Sequence, residues 1–272
     1  MPLDMDSMMW DGLVFGPNGK SGLVLGARIR GFGQGQHRMP TLDRLAGGGA
    51  SGIATRTPVL IDADVWANDL TKLDELRAKM APRPLPTDVL PLAWRGLGWG
   101  DRELCVFARP AAQNHDVDHE APQGVVAGIG CQWQADDPTV YDLTATARTQ
   151  ATATSLVSWE WQNTGHGTPL PGLGGRAWTV EITAATTTVR PYVRVGSRRV
   201  TFREVTLAPG QKLRIGPDRI PRVGSTVALG YSSSPPSLDA QWPILPAGEE
   251  VNFVIGAESG TFTATGQFRS TW

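Results

Sequence analysis

Residues 64–82, DVWANDLTKLDELRAKMAP, contain the one convincing helix that the sequence predicts. Asn68 is a plausible N-cap and Pro82 cannot continue a helix, so we expect the helix to span 68–81. Its apolar stripe consists of Trp66, Leu70, Leu73 and Met80. A lone helix in a chain rich in β-strands usually covers an open side of a sheet or barrel, and we expect that position here.

The sequence on both sides of the helix alternates between apolar and polar residues with a period of two. Residues 23–30 place Arg28 and Arg30 on the face opposite the apolar side chains, which is typical of a half-buried strand. Further strands are predicted at 59–65, 89–94, 103–109, 124–133 and 140–143. Residues 144–155 are almost all Thr and Ala, which predicts a linker or an edge strand. We therefore expect two domains, 1–143 and 144–272.

The second half of the chain predicts a β-sandwich or a jelly roll. It contains seven or more short apolar runs separated by turn residues, at 156–161, 177–183, 189–195, 200–207, 212–215, 251–255 and 262–268. Gly196 and Ser197 suit a two-residue type II′ hairpin turn. Asn163, Gly165 and Pro169 predict a tight loop after a strand, because Asn bonds its own backbone, Gly takes positive φ and Pro ends a ladder.

Composition limits the function classes. The net charge of −1 over 272 residues gives no overall field for nucleic acid or an anionic membrane. Residues 176–222 have nine Arg against three acidic residues, which indicates either an interface for an acidic partner or a solvated strand face. For Cys105 and Cys131 a bond across neighbouring strands and buried free thiols are both open, and free thiols are favoured. We expect no signal peptide and no membrane span.

No catalytic or cofactor-binding set emerges from the sequence, so we expect a protein that is not an enzyme and has no cofactor. The densest group of possible metal ligands is His115, Asp116, Asp118 and His119. Prolines flank this group and no helical pattern orders it, so a solvated loop is favoured over a metal site. Trp99 lies in a Gly-rich hairpin tip and is the best candidate for stacking on a sugar.

The order of these elements resembles the distal tail proteins of siphophages (the Dit family). The first half matches in the sequence of strand 23–31, Gly-rich loop, Arg56, strand 59–65, helix 68–81, strand 90–94 and a hairpin that ends at 106–109. The second half matches in Asn163, Gly165 and Pro169, the Gly196-Ser197 hairpin, the turn and strand 207–215, and the return strand 245–253. The resemblance covers nearly the whole chain.

The resemblance implies a mainly β fold. It consists of an N-terminal β-sandwich or split-barrel-like domain with one helix, followed by a C-terminal galectin-like β-sandwich. The resemblance also implies a structural virion protein that forms a hexameric ring between the tail tube and the tail tip. The ring would frame the channel through which DNA passes, and the outer domains would carry adhesion proteins. Candidate ring contacts are Arg28, Arg30, Gly47, Gly48, Gly49 and Arg56, with residues 31–51 as an arm to a neighbour.

The implied partners are other copies of the chain, the tail tube protein, the tail-tip hub protein, and a receptor-binding protein or host glycan. The implied location is the distal end of the virion tail, after assembly in the host cytoplasm. Two alternatives from other classes stay open at this point. One is a carbohydrate-binding β-sandwich protein, and the other is a metallohydrolase that would use His115, Asp116, Asp118 and His119.

Overall fold

The chain is mainly β and divides into two compact units, Met1–Leu143 and Thr144–Trp272. These observations come from a computed structural model, which describes residues 3–17, 20–31, 37–38, 41–43, 49–51, 55–56, 58–81, 89–114, 127–166, 176–217, 220–228 and 242–272. Within those ranges there is one helix, and it is too short to cross a membrane. The mainly β class predicted from the sequence is confirmed.

The first unit contains strands β1 to β12 and the helix α1. Their bounds are β1 Ser7–Trp10, β2 Leu13–Phe15, β3 Leu23–Arg30, β4 His37–Arg38, β5 Thr41–Asp43, β6 Gly49–Ser51, β7 Thr55–Arg56, β8 Val59–Ala67, α1 Leu70–Lys79, β9 Leu90–Arg95, β10 Glu103–Asn114, β11 Ala127–Ala135 and β12 Tyr141–Asp142. The sequence predicted β10 to end at Arg109, but it continues through Pro110 to Asn114.

The main sheet of this unit closes almost completely into a barrel. Its strand order is β2-β1-β9-β10-β11-β8-β3, all antiparallel, with β12 paired to β10 beside this path. A bridge between Gly16 and Val24 then joins the two ends. There the Gly16 N–H donates to the Leu23 carbonyl at 3.3 Å, and the Leu25 N–H donates to the Gly16 carbonyl at 3.1 Å. The predicted split-barrel-like architecture is confirmed.

The hairpin β1–β2 follows directly from two turn residues. Asp11 and Gly12 are the only residues between paired Trp10 and Leu13, and their φ angles are 47° and 81°. A type I′ turn requires positive φ at both central positions, and its twist matches that of the flanking strands. This hairpin supplies one end of the barrel sheet, and the sequence analysis did not predict it.

The barrel interior is filled by large aromatic side chains. Trp10, Phe15, Trp94 and Trp133 are fully buried. The ring centroid of Trp133 lies 6.1 Å from that of Trp10 and 6.3 Å from that of Phe15, with tilted planes. Each such side chain contributes roughly 1.5–3 kcal/mol when it leaves water. Burial of these four side chains is therefore a major source of stability in the first unit.

The helix is shorter than the sequence predicted. It begins at Leu70 rather than at residue 68, and its N-cap is Asp69 rather than Asn68. The Asp69 carboxylate accepts a hydrogen bond from the Lys72 N–H at 2.7 Å, which satisfies one of the free amides of the first turn. Trp66, expected on the helical stripe, belongs to β8.

The buried stripe of α1 lies one turn later than expected. Leu70 is 64% exposed, whereas Leu73, Leu76 and Met80 are buried. The helix packs where β1 turns into β2 and β3 begins: the Lys79 ammonium donates to the Asp11 carbonyl, and a Cβ at Gly22 would lie 2.7 Å from the Lys72 Cγ. The helix therefore lies beside the junction at which the barrel closes.

The second unit is a sandwich of two antiparallel sheets. One has the order β13-β24-β15-β20-β21-β22, the other has the order β14-β23-β17-β18, and β16 pairs with β19. The bounds are β13 Thr146–Thr154, β14 Leu156–Gln162, β15 Trp178–Ala184, β16 Thr188–Val189, β17 Tyr192–Val195, β18 Arg198–Thr201, β19 Thr206–Leu207, β20 Lys212–Ile215, β21 Arg222–Val223, β22 Thr226–Val227, β23 Glu250–Gly256 and β24 Phe262–Phe268. The predicted β-sandwich is confirmed.

Aromatic pairs join the two sheets of the sandwich. Phe268 lies 6.1 Å from Trp159, 5.6 Å from Trp161 and 5.3 Å from Phe253 between ring centroids. Trp178 lies 5.1 Å from Phe253 in an edge-on arrangement. Such pairs add about 0.5–1.5 kcal/mol each beyond the area they bury. Trp159 and Trp161 are therefore core residues.

Residues 144–155, which predicted a linker or an edge strand, form the edge strand β13. It pairs only with β24 within the part of the chain that the structure describes, and nearly all its residues are exposed on both faces. Arg148 pairs with Gly266, whose Cβ position points at Trp159 in the sandwich interior. The exposed Arg148 therefore lies on the inward-facing side of an open sheet edge.

Asn163 holds three segments of the second unit together. Its amide Nδ2 donates to the Leu245 carbonyl at 3.2 Å and the Thr271 Oγ1 at 3.0 Å. Its Oδ1 accepts from the Gly165 N–H at 3.2 Å and the Thr271 N–H at 3.1 Å. A Cβ at Gly165 would lie 1.9 Å from the Thr271 carbonyl oxygen, so only glycine fits there. Asn163 and Gly165 thus form one clasp.

We expect Asn163→Ala to lower the unfolding free energy of the protein by about 2–4 kcal/mol, because buried backbone groups would lose their partners. Chemical denaturation followed by tryptophan fluorescence measures this loss. The matched control is Glu160→Ala on the exposed face of β14, with an expected change within about 0.5 kcal/mol. Equal effects of the two substitutions would contradict the role of the clasp.

Both cysteines are buried and unbridged. Burial is the main cause that raises the pKa of the Cys131 thiol to about 12, and the nearby Asp64 carboxylate is the second cause. We expect neither Cys105 nor Cys131 to react with a thiol reagent at pH 8 in the folded protein, and both to react after unfolding. Since the folded chain keeps the Cys131 proton more tightly, the stability contribution of this group should fall as pH rises above its ordinary pKa of 9.0. Rapid labelling of native protein would contradict this.

Candidate assembly surfaces

The described residues contain no group of three or more His, Cys, Asp or Glu side chains arranged to hold a metal ion. The candidates His115, Asp116, Asp118 and His119 lie outside the described residues, so the metal site stays an untested prediction. His166 is an exposed side chain that packs edge-on against Trp272, with ring centroids 5.5 Å apart.

Four of the six predicted ring contacts lie in strands that the structure describes. Arg28 and Arg30 belong to β3, and Arg30 is the register partner of Asp62 on β8. Gly49 begins β6 and Arg56 ends β7. The other two ring contacts, Gly47 and Gly48, lie outside the described residues. Pro169, which was predicted in the loop after β14, also lies outside them.

The chain segment that connects β3 to β8 contains two short pairs of strands. β4 pairs with β7, and β5 pairs with β6 inside it, so the pairs form a nested antiparallel hairpin. We call the described residues of this segment, 37–38, 41–43, 49–51 and 55–56, the hairpin arm. A Cβ at Gly31 would lie 2.0 Å from the Leu60 carbonyl oxygen, so the chain leaves β3 pressed against the start of β8. The arm predicted at 31–51 thus contains paired strands rather than only loop.

The outer side of β8 is a mixed apolar and acidic surface. Leu60, Asp62, Asp64 and Trp66 share this side, because Ile61, Ala63 and Val65 between them point into the barrel. Leu60 is 47% exposed. The neighbouring strands add Gln132 on β11, which donates to the Asp62 carboxylate at 2.7 Å, and Arg30 on β3. We call Arg30, Leu60, Asp62, Asp64, Trp66 and Gln132 the β8 face.

Glycines on both neighbouring strands make room for Trp66. A Cβ at Gly128 on β11 would lie 2.6 Å from the Cζ3 atom of the Trp66 ring. A Cβ at Gly26 on β3 would lie 3.2 Å from its Nε1 and 2.9 Å from the Asp64 Cβ. The half-buried indole therefore lies against the sheet between two strands that lack side chains there, with its outer surface available to a partner.

Trp99 is held in place by its own hairpin loop. The loop is fixed by a hydrogen bond of 2.9 Å from the Trp99 N–H to the Gly96 carbonyl, and by another of 2.9 Å from the Leu97 N–H to the Asp6 carboxylate. The ring is half buried and packs edge-on against Trp94, with centroids 6.3 Å apart. One side of Trp99 is thus used for packing, and the predicted sugar contact stays a prediction.

The turn residues Gly196 and Ser197 connect β17 to β18. Val195 and Arg198 are paired, so these two residues are the whole loop. Gly196 has a φ of 56°, and Ser197 is not among the described non-glycine residues with positive φ. This combination fits the type II′ turn expected from the sequence, and it makes β17–β18 a short, tightly closed hairpin.

The comparisons with known proteins identify a shared fold. No protein-family model matches the sequence, and no curated protein sequence matches it. The Dit protein (gp 19.1) of phage SPP1, presented as a paradigm of the hub adsorption apparatus in phages that infect Gram-positive bacteria, is similar over 98% of both chains, with a TM-score of 0.53 and 12% identity. The phage P2 baseplate in its activated conformation with Ca is similar over 97% of both chains, with a TM-score of 0.45 and 10% identity. The resemblance to distal tail proteins is confirmed at the level of the fold.

We expect Gly128→Ala to lower the unfolding free energy by about 1–3 kcal/mol, because the added methyl group would force the Trp66 ring off the sheet. Gly16→Ala is the control, since a Cβ there meets its nearest neighbour, the Ser7 Cβ, at an ordinary 4.0 Å. Thermal or chemical unfolding of the two variants measures the difference. A Gly128→Ala protein as stable as the wild type would contradict the packing described for Trp66.

Proposed function

We propose that this protein is a structural component of a long non-contractile phage tail. It forms a ring, expected to be hexameric, that joins the tail tube to the tail tip and carries host-adhesion proteins. The observation that supports this most is the match to the SPP1 Dit fold over 98% of both chains, which includes the barrel with its helix and the sandwich after it. Neither unit presents a cluster of metal-binding side chains within its described residues, which suits a scaffold.

A ring requires two different surfaces on each protomer that meet by rotation. The bridge from Gly16 to Val24 joins the two ends of the barrel sheet, so those ends are not open edges. The first unit must therefore use faces and projecting hairpins. The β8 face and the hairpin arm are adjacent, because the arm connects β3 to β8. We assign the contact between neighbouring protomers to this combined surface.

The chemistry of the β8 face suits a protein contact. Leu60 and Trp66 supply apolar area at its two ends, and Asp62 and Asp64 between them favour a basic partner surface. The exposed Arg30 on β3 adds a basic group to this face, and the predicted contacts Arg28 and Arg56 belong to β3 and β7. Acidic and basic groups from adjacent protomers can then pair around an apolar contact, which would fix the rotational register.

The partners that follow from this role are other copies of the chain, the tail tube protein, a tail-tip hub protein, and a receptor-binding protein or host glycan. DNA would only pass through the channel of the ring. The site of action would be the distal end of the virion tail, after assembly in the host cytoplasm. A carbohydrate-binding protein that works as a monomer is the alternative, and the partly exposed Trp99 is the feature that would serve it.

The ring is tested by light scattering and negative-stain microscopy of the purified protein. We expect particles of six times the 29.2 kDa protomer mass. Leu60→Asp should weaken assembly by about tenfold or more, because it places a charge in an apolar contact beside Asp62 and Asp64. Leu70→Asp on α1 is the matched control, since Leu70 is an exposed leucine outside the β8 face.

The outcomes separate the ring from its interface. Rings that persist in Leu60→Asp would contradict the assignment to the β8 face and leave the ring intact. A wild-type protein that is monomeric at high concentration, with no ring in tails imaged by electron microscopy, would contradict the ring itself. Strong binding of that monomer in a glycan array would favour the carbohydrate-binding alternative.

A further inference from the structure

The outer face of the four-stranded sheet in the second unit carries a compact group of basic, aromatic and apolar side chains. We infer that Leu156, Tyr192, Arg194 and Arg199 form a docking surface for an acidic protein segment. We call these four residues the arginine face. The inference goes beyond ring formation and concerns a different unit of the chain.

The strand register places these side chains together. Leu156 on β14 pairs with Gly256 on β23, which in turn pairs with Tyr192 on β17. In the next outward-facing row, Arg194 on β17 pairs with Arg199 on β18. The alternating residues Val193, Val195 and Val200 are buried, so the four members of the arginine face all lie on the solvent side.

The arginine pair is unfavourable for the sheet by itself. Like charges directly opposite each other on neighbouring strands repel, so the pair of Arg194 and Arg199 does not stabilise the sheet. Elsewhere in the same unit, basic side chains have acidic partners: Arg190 lies 2.9 Å from Glu258, and Lys212 lies 2.7 Å from Glu181. Neither Arg194 nor Arg199 forms an ion pair with an acidic side chain that the structure describes.

The aromatic part of the face is held in a fixed position. A Cβ at Gly256 would lie 2.4 Å from the Cζ and Oη atoms of Tyr192, so the tyrosine ring extends across the glycine toward β14. The Arg199 guanidinium lies 3.8 Å from the centroid of the same ring, and its Nε donates to the Thr201 hydroxyl at 3.1 Å. Arg199 is therefore oriented before any partner binds, which lowers the entropy lost on binding.

Charge complementarity identifies the occupant as acidic. Two guanidinium groups side by side match one or two carboxylates, because each group can donate a pair of parallel hydrogen bonds. Leu156 is 55% exposed at the other end of the face, where an apolar side chain of the partner can cover it. Tyrosine and arginine around such a contact are the residue types that dominate protein interfaces.

The same features disfavour nucleic acid and carbohydrate as occupants. Nucleic acid is held by many phosphate contacts along an extended basic track, whereas Glu160 and Glu250 lie on the same outer face of this sheet. A carbohydrate would leave the exposed Leu156 without an apolar counterpart. A protein segment that alternates acidic and apolar side chains can satisfy both ends of the arginine face at once.

The test uses the full chain and a fluorescein-labelled peptide with repeats of the sequence Glu-Glu-Leu-Glu-Glu. A peptide with Lys in place of Glu is the probe control. Fluorescence anisotropy at low salt should show saturable binding of the Glu peptide only. Arg194→Gln with Arg199→Gln should weaken this binding by about tenfold or more, and Leu156→Ser by a smaller factor.

The control variant is Arg203→Gln with Arg214→Gln, which removes the same charge from exposed positions outside the arginine face. It should bind the Glu peptide with nearly wild-type affinity, and circular dichroism should show that every variant is folded. Equal losses in both double variants would overturn the proposal, because binding would then follow net charge. Absence of peptide binding by the wild type, or binding only to an anionic polysaccharide, would overturn it as well.

Discussion

The first unit depends on a single long strand that pairs differently along its length. Residues 103–108 of β10 pair with β9, whereas residues 109–114 pair with β11, and the register shifts between Pro110 and Ala112. A bulge of this kind bends a strand and increases its twist. The bend lets one sheet curve until Gly16 reaches Val24. Without it the aromatic interior would face water and α1 would have no junction to pack against.

The two units deal with their sheet edges in opposite ways. The barrel joins its ends, so its outward surface consists mainly of strand faces, and the β8 face combines exposed apolar area with charge. The sandwich keeps open edges within the described residues, such as β13 and β18, and the arginine face includes a residue of β18. A protein with two such units can offer one surface to its own copies and another to a different partner.

Much of the fold follows from alternation in the sequence, and the failures have local causes. β3 and β8 were predicted because a period of two separates a buried side from a solvated side. β1 and β2 were missed because they are only four and three residues long, although Asp11-Gly12 between them is a strong hairpin signal. Pro110 led to an early end of β10, since proline usually marks a loop and here it lies at a bulge.

The candidate surfaces were less accessible to sequence reasoning. Trp66 was assigned to the helical stripe because it lies four residues before Leu70, a spacing that places both residues on one face of a helix. The same residue also fits an outward position on a strand, which is where the structure has it. Its support by Gly26 and Gly128 requires knowledge of which strands are neighbours. The arginine face likewise exists only once β17 and β18 are in register. The local sequence pattern predicts which side of a strand a residue faces. Which residues together form a surface depends on which distant strands pair.

The edge strand β13 has a consequence for how the protein behaves at high concentration. An exposed edge is a template on which further chains can add, and long apolar edges lead to fibrils. β13 contains only small and polar residues. If a second sandwich stacked on this edge, the Arg148 side chain would be buried between the two copies and its charge would lose its hydration. Addition of a further strand or stacking of a second sandwich at this edge is therefore disfavoured, although its backbone groups are exposed.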